Sequence, residues 1–121
     1  MSTDFDPNLA NKAMILLHLR ELSSRSEQER LWLSEGGGRD VGSFVEAVCG
    51  LFDDSGFTAI LARGPTGLGA EVEGAILELG AVTDTIDWKI DEQALIDSKE
   101  MDTVRHLAAV ALRLIESTSD D

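Results

Sequence analysis

Residues 43–56 read SFVEAVCGLFDDSG, and this stretch contains the strongest helix signal in the chain. Ser43, with Glu46 three residues later, forms a capping-box pattern in which the serine side chain caps a helix N-terminus. The apolar residues that follow recur at the spacing of one helical face: Phe44, Val45, Val48, Leu51 and Phe52. Gly56 then supplies the residue type that ends a helix in the left-handed conformation. The stretch therefore predicts an amphipathic helix that packs against other helices.

Helical spacing of apolar residues continues on both sides of this stretch. Further helices are predicted over 9–22, 27–34 and 71–82 and from Ser98 or Asp102 to about 116, with a short turn capped by Asp91 and running to 96. The helix over 27–34 is predicted to have Ser26 as its cap, because Glu29 follows three residues later. The run 57–62 is too short for periodicity to separate a helix from a strand. No clear partner strand is evident, which favours a helix or an extended loop there.

These segments together predict an all-α fold, a compact bundle of five or six helices joined by glycine-rich loops. A chain of 121 residues is the size of one domain, so a single domain over 1–121 is expected. Its polar ends, 1–6 and 117–121, are expected to be frayed.

The charge of the chain restricts its partners. There are 23 Asp and Glu residues against 10 Lys and Arg, a formal net charge of −13. Nonspecific binding to nucleic acid needs Lys and Arg to neutralise phosphates, and docking on anionic membranes needs the same residues, so neither partner is expected. The segment 1–8 lacks the basic and apolar regions of a signal peptide, and a cytoplasmic location is expected.

Candidate metal-binding and catalytic residues are sparse. The single cysteine, Cys49, cannot form an internal disulfide and is predicted to be a small buried apolar residue. His18 and His106 would meet only if the first and last helices pack side by side, and no third or fourth zinc ligand accompanies them. The glycines at 36–38 lack the Lys and Ser/Thr of a phosphate-binding loop. No catalytic residue, metal or organic cofactor is therefore predicted.

Two acidic segments are the candidate binding surfaces. Asp53 and Asp54 end a predicted helix, where the helix dipole disfavours carboxylates. They are interpreted either as a network that ties the loop to backbone N–H groups, which is favoured, or as a surface for a partner. The segment 84–102 is either a solvated face or a docking surface for a basic protein, with Trp88 as an aromatic anchor. The predicted partner-binding residues are Asp53, Asp54, Asp84, Asp87, Trp88 and Asp91.

The runs ERLWL (29–33), SFVEAV (43–48) and LFDDSG (51–56), with Gly38 between the first two, resemble a pattern in small bacterial immunity proteins. Such proteins belong to polymorphic and contact-dependent toxin systems. The resemblance covers roughly residues 9–57 and implies that the protein neutralises one cognate toxin by tight binding. It carries over no toxin-contacting residue. An acidic inhibitor would associate rapidly with a basic toxin cleft by electrostatic steering.

The function expected from the sequence is an acidic protein-binding domain, an immunity-type inhibitor of a basic protein such as a toxin domain, and not an enzyme. Two alternatives stay open. One is a homodimer or larger homo-oligomer in which the broad apolar faces of the first and last helices pack across the interface. The other is a small enzyme that uses a pair of carboxylates in a cleft.

Overall fold

The computed structural model describes residues 10–33, 43–87 and 89–118, and within these ranges all regular structure is helical. The helices are Lys12–Ser23 (α1), Arg25–Trp32 (α2), Phe44–Cys49 (α3), Phe57–Leu61 (α4), Ala70–Thr83 (α5), Glu92–Ile96 (α6) and Lys99–Thr118 (α7), and a π-helical segment, Gly50–Asp54, continues α3. The predicted all-α bundle is confirmed, and the run 57–62 is helical rather than a strand. The glycines at 36–38 lie outside the described residues. None of the helices in the described ranges has the length and apolar character needed to cross a membrane.

The long helix α7 forms the centre of the bundle, with α1 and α5 packed against it. Its buried face follows the helical repeat, as do the buried faces of its two neighbours. On these three helices, the fully buried residues are Met101, Val104, Ala108, Ala111 and Ile115 of α7, Ile15, Leu19 and Leu22 of α1, and Val72, Ile76 and Leu79 of α5. The apolar faces of the first and last helices therefore meet within one chain. α7 extends to Thr118 and therefore includes residues 117 and 118 of the segment that was expected to be frayed. The segment 1–6 and residues 119–121 lie outside the described residues.

The first helix begins later than the predicted residue 9. Asn11 is its N-cap, and the side-chain Oδ1 accepts a hydrogen bond from the backbone N of Met14 at 3.1 Å. The preceding backbone is held by tertiary hydrogen bonds, from Ala10 N to Thr66 O at 3.1 Å and from Asn11 N to Ser55 O at 2.8 Å. These contacts keep residues 10 and 11 out of the helix, which apolar spacing alone could not indicate.

The predicted cap of α2 is wrong by two residues. Ser24, not Ser26, is the N-cap, and its Oγ accepts a hydrogen bond from Glu27 N at 3.2 Å. Ser24 with Glu27 fits the same capping rule as Ser26 with Glu29, so the rule does not choose between them. In the structure Ser24 is both the C-cap of α1 and the N-cap of α2, so a single residue separates the two helices.

In the stretch 43–56 both predicted ends are confirmed. Ser43 Oγ accepts a hydrogen bond from Glu46 N at 3.1 Å, and Gly56 is left-handed with φ +84°. The face between them is rotated from the prediction, because Val45 is 39% exposed whereas Ala47 is buried. Phe44 packs edge-on against Trp32, with ring centroids 5.9 Å apart. This contact between α2 and α3 fixes the rotation of α3.

Candidate functional site

A cleft of about 450 Å³ lies between the α3–π segment and α5. We call it the α3–α5 cleft. Its lining residues are Val48, Cys49, Phe52 and Asp53 on one side, Leu77, Gly80, Ala81, Thr83 and Asp84 on the other, and Thr58 of α4. The lining therefore combines apolar side chains with two threonines and two carboxylates. Asp53 and Asp84 are both exposed, so their charge is presented to solvent beside an apolar surface.

The two walls of the cleft are linked by Phe52. A Cβ at Gly80 would lie 3.0 Å from Phe52 Cζ and 3.2 Å from Cε1, closer than side chains normally approach. Glycine at position 80 is therefore what allows the Phe52 ring to rest on α5. The same ring packs edge-on against the fully buried Phe57, with centroids 6.1 Å apart. These contacts join the cleft to the hydrophobic core.

Ser55 forms hydrogen bonds to the π-helical segment that continues α3. Ser55 N donates to Gly50 O at 3.1 Å, which is the π-helical spacing, and π-turns are frequent at functional sites. The buried Ser55 Oγ donates to Leu51 O at 2.6 Å and accepts from Phe57 N at 3.1 Å. This hydroxyl connects the π segment to α4 across the left-handed turn.

The network predicted for Asp53 and Asp54 is therefore wrong. Both side chains are exposed, and neither carboxylate accepts a hydrogen bond from a backbone N–H of the described residues. Ser55 makes the hydrogen bonds that had been expected of the aspartates. The alternative interpretation, in which these carboxylates face a partner, stays a prediction.

The predicted partner-binding residues separate into groups. Asp53 and Asp84 line the α3–α5 cleft. Asp87 lines a smaller depression of about 190 Å³, and its Oδ1 accepts a hydrogen bond from Lys89 N at 3.0 Å. Asp91 caps α6, where its Oδ2 accepts from Ala94 N at 3.2 Å. Trp88 lies outside the described residues.

Eight of the ten lining residues were not among the predicted site residues, and Cys49, Leu77 and Gly80 are the informative ones. Cys49 is exposed and lines the cleft, which corrects the prediction that it is buried. Rotation of α3 accounts for this, because the buried face turns toward Ala47 and Leu51. Leu77 is 52% exposed. Gly80 carried a usable signal, because a glycine inside a helical pattern is unfavourable by about 1 kcal/mol relative to alanine and often has a packing reason.

The histidines do not form a metal site in the described part of the chain. His18 is half-buried with its ring against Gly50, and its Nδ1 lies 3.4 Å from Glu21 Oε1. His106 is exposed. Among the residues described, no three His, Cys, Asp or Glu side chains converge as metal ligands.

The chemistry that the α3–α5 cleft offers is apolar contact beside negative charge. General acid–base pairs are typically held in desolvated surroundings, whereas Asp53 and Asp84 are both exposed. A carboxyl whose pKa is raised, chiefly by burial, is found at Glu92, but this residue lies on α6 and does not line the cleft. Comparison of the chain with protein-family models, curated proteins and solved structures finds no match.

Proposed function

We propose that the protein is an acidic protein-binding domain of the immunity type, which holds a basic partner such as a toxin domain at the α3–α5 cleft. The observation that carries this proposal is that Asp53 and Asp84 share one cleft with exposed apolar side chains such as Leu77. None of the described residues that line the cleft is basic. Apolar surface contributes most of the free energy of such contacts, and the carboxylates select a partner of opposite charge.

The charge of the whole chain supports the same proposal. A net charge of −13 produces a field that speeds encounter with a basic surface and repels acidic competitors. Because this steering acts over distances comparable to the Debye length of about 8–10 Å, the association rate should fall as salt is added. Inhibition by coverage needs no cofactor and no catalytic group, and the site of action proposed is the cytoplasm.

Charge reversal at the cleft tests this function. The tagged protein would be used to capture partners from its native cells at low and high salt, with captured proteins identified by mass spectrometry. Asp53→Lys with Asp84→Lys should abolish capture of a basic protein that the wild type retains at low salt. The control variant, Asp87→Lys with Glu100→Lys, makes the same change in net charge at the smaller depression that Asp87 lines. It should still capture the basic protein.

Two results would contradict the proposal. One is equal capture by both double variants, because the cleft would then have no role. The other is the absence of any basic protein in the wild-type eluate at either salt concentration. Circular dichroism of each variant would show that loss of capture does not reflect unfolding.

Self-association is a second candidate, and it is favoured by a depression around an exposed apolar residue of α1. Leu17 of α1 is 59% exposed, and the depression that it lines with Leu31 carries Arg20, Arg30 and Glu27, residues of both signs. A surface with both signs can face a second copy of itself without the repulsion that the acidic cleft would suffer. A dimer in sedimentation at micromolar concentration that is lost in Leu17→Lys would support this candidate.

A further inference from the structure

We infer that the segment received by the α3–α5 cleft is an amphipathic helix whose apolar stripe is flanked by lysine or arginine. This inference rests on the proposed function and names the part of the basic partner that makes contact. It follows from the spacing of the cleft residues, the nature of its walls and the position of its carboxylates.

The α5 wall repeats at helical spacing. Leu77, Ala81 and Asp84 are at positions i, i+4 and i+7, so they lie on one face, one above the other. At 1.5 Å per residue this face is about 10 Å long, which matches two turns of a bound helix. On the opposite wall, Cys49 and Asp53 are at i and i+4 of the α3–π segment. On each wall, an apolar or thiol side chain therefore comes first along the helix and a carboxylate comes after it.

Exposed apolar side chains continue the surface that such a helix would cover. Leu77 is 52% exposed, and Val45, one turn before Cys49 on α3, is 39% exposed. Single exposed apolar residues are ordinary, but here both belong to helix faces that line one cleft. A partner helix that presents apolar residues at i, i+4 and i+7 would bury them together.

The other common modes of peptide recognition fit this cleft less well. Strand addition needs the unpaired backbone groups of a sheet edge, whereas both walls are helices with internally bonded backbones. Recognition of proline-rich segments uses grooves lined with several aromatic rings, and Phe52 is the aromatic residue among the described lining residues. A small-molecule site would enclose its polar groups, whereas both carboxylates here are exposed.

The position of the carboxylates favours a cationic partner. Asp84 is the C-cap of α5, and Asp53 lies in the last turn of the α3–π segment. The C-terminal end of a helix already carries partial negative charge from its terminal carbonyl groups, so these carboxylates add to it. Lysine or arginine beside the apolar stripe would relieve this unfavourable concentration of charge. The neighbouring Asp54 is also exposed and increases the negative charge at the same end.

The single cysteine of the chain provides a reporter inside the cleft. The rate of Cys49 alkylation by N-ethylmaleimide would be measured with synthetic peptides of about 15 residues, a length at which isolated helices begin to be stable. The first peptide, made of Leu, Lys and Ala, places its leucines on one helical face. The second scrambles the same residues so that no face forms, and the third replaces every Lys with Glu.

We expect only the first peptide to slow alkylation several-fold. The effect should disappear with Leu77→Ser and persist with Leu17→Ser, because both leucines are exposed but only Leu77 lines the cleft. Equal protection by the scrambled basic peptide would overturn the helix inference while leaving a basic partner intact. The helix inference would also be overturned if no peptide protected Cys49 while a natural basic partner was still captured in a charge-dependent way. That result would leave the proposed function supported. Protection by the first peptide that survives Asp53→Lys with Asp84→Lys would contradict both.

Discussion

Arg105 on α7 donates from Nη1 to Oε1 of Gln28 on α2, at 2.6 Å. Gln28 is fully buried, and its Nε2 donates in turn to the backbone oxygens of Leu22 at 2.9 Å and Glu21 at 3.2 Å, in the last turn of α1. Arg105 Nη2 also donates to the backbone oxygen of Ile96 at the end of α6, at 3.0 Å. One polar junction therefore connects four helices.

Replacement of the buried glutamine should destabilise the protein strongly. Gln28→Leu keeps a similar volume but leaves the Leu22 carbonyl and part of the Arg105 guanidinium without partners, whereas the Glu21 carbonyl keeps its hydrogen bond from Ser24 N. Each unsatisfied buried group is unfavourable by about 1–3 kcal/mol, so we expect the free energy of unfolding to fall by about 2–4 kcal/mol in urea denaturation. Gln93→Leu replaces an exposed glutamine whose Nε2 makes only long hydrogen bonds, of 3.3 and 3.4 Å, to the exposed Asp97, and it should change the free energy of unfolding by less than about 0.5 kcal/mol. Equal effects of the two substitutions would show that the junction does not contribute.

The two serines near the start of α2 should differ in their contributions to stability. Ser24→Ala removes the side chain that caps the helix and should lower the free energy of unfolding by about 1 kcal/mol. Ser26→Ala leaves the cap in place and should lower it by only a few tenths. Thermal unfolding followed by circular dichroism would measure both, and the reverse order would restore Ser26 as the cap.

Features that depend on neighbours in sequence could be predicted, and those that depend on tertiary contacts could not. Local rules predict the Ser43 cap, the left-handed Gly56 and the Asp91 cap, and all three predictions are confirmed. The exposure of Cys49 is set by how α3 is rotated, and that rotation depends on the contact between Phe44 and Trp32 of another helix. No local pattern records such a contact.

The candidate site was predictable only in part, for the same reason. Asp53 and Asp84 were both among the predicted residues, but only the packing of the bundle shows that they share one cleft and that Asp87 and Asp91 do not line it. None of the apolar side chains that line the cleft was among the predicted binding residues, although Val48 and Phe52 were assigned to the apolar face of their helix. Periodicity assigns apolar residues to the core, and it does not identify a leucine such as Leu77 that stays exposed.

Two glycines of α5 provide a matched test of the contact that shapes the cleft. A Cβ at Gly74 meets nothing within 4 Å, so Gly74→Ala should stabilise the protein by about 1 kcal/mol through helix propensity. Gly80→Ala should lose most or all of that gain, because its Cβ would press on the Phe52 ring at 3.0 Å. Urea denaturation would measure both, and Phe52→Leu in the Gly80→Ala background should recover part of the difference. Equal stabilisation by the two alanines would show that the ring moves away without penalty.

Asp97 should stabilise the protein at neutral pH and lose this effect in acid. It forms an ion pair with Arg25, and hydrogen bonding to Arg25 and then to Gln93 lowers the pKa of Asp97 below its usual range. A carboxyl with a lowered pKa in the folded state contributes stability above its unfolded pKa, and this contribution disappears as the pH falls through the folded value. Asp97→Asn should therefore lower the urea midpoint at pH 7 and leave it unchanged in strong acid. Because the pair is exposed, added salt should reduce the difference.

Glu92 should have the opposite effect on stability. Its Oε1 is buried without a hydrogen-bond partner in the described part of the chain, and burial, then the nearby Asp91 charge, raises the pKa of Glu92. The folded state therefore holds this proton more tightly than the unfolded chain. The protein should lose stability as the pH rises from the ordinary glutamate value, about 4.3, through the raised folded value.

Removal of that ionisation should be stabilising at neutral pH only. Glu92→Gln should raise the urea midpoint at pH 7, where wild-type Glu92 must ionise in its partly buried position. At a pH of about 3, where the carboxyl is protonated in both folded and unfolded chains, the two proteins should have the same midpoint. Glu78→Gln makes the same change at an exposed site on α5 and serves as the control, with little effect expected. A midpoint gain for Glu92→Gln that is equal at both pH values would attribute the effect to packing rather than to charge.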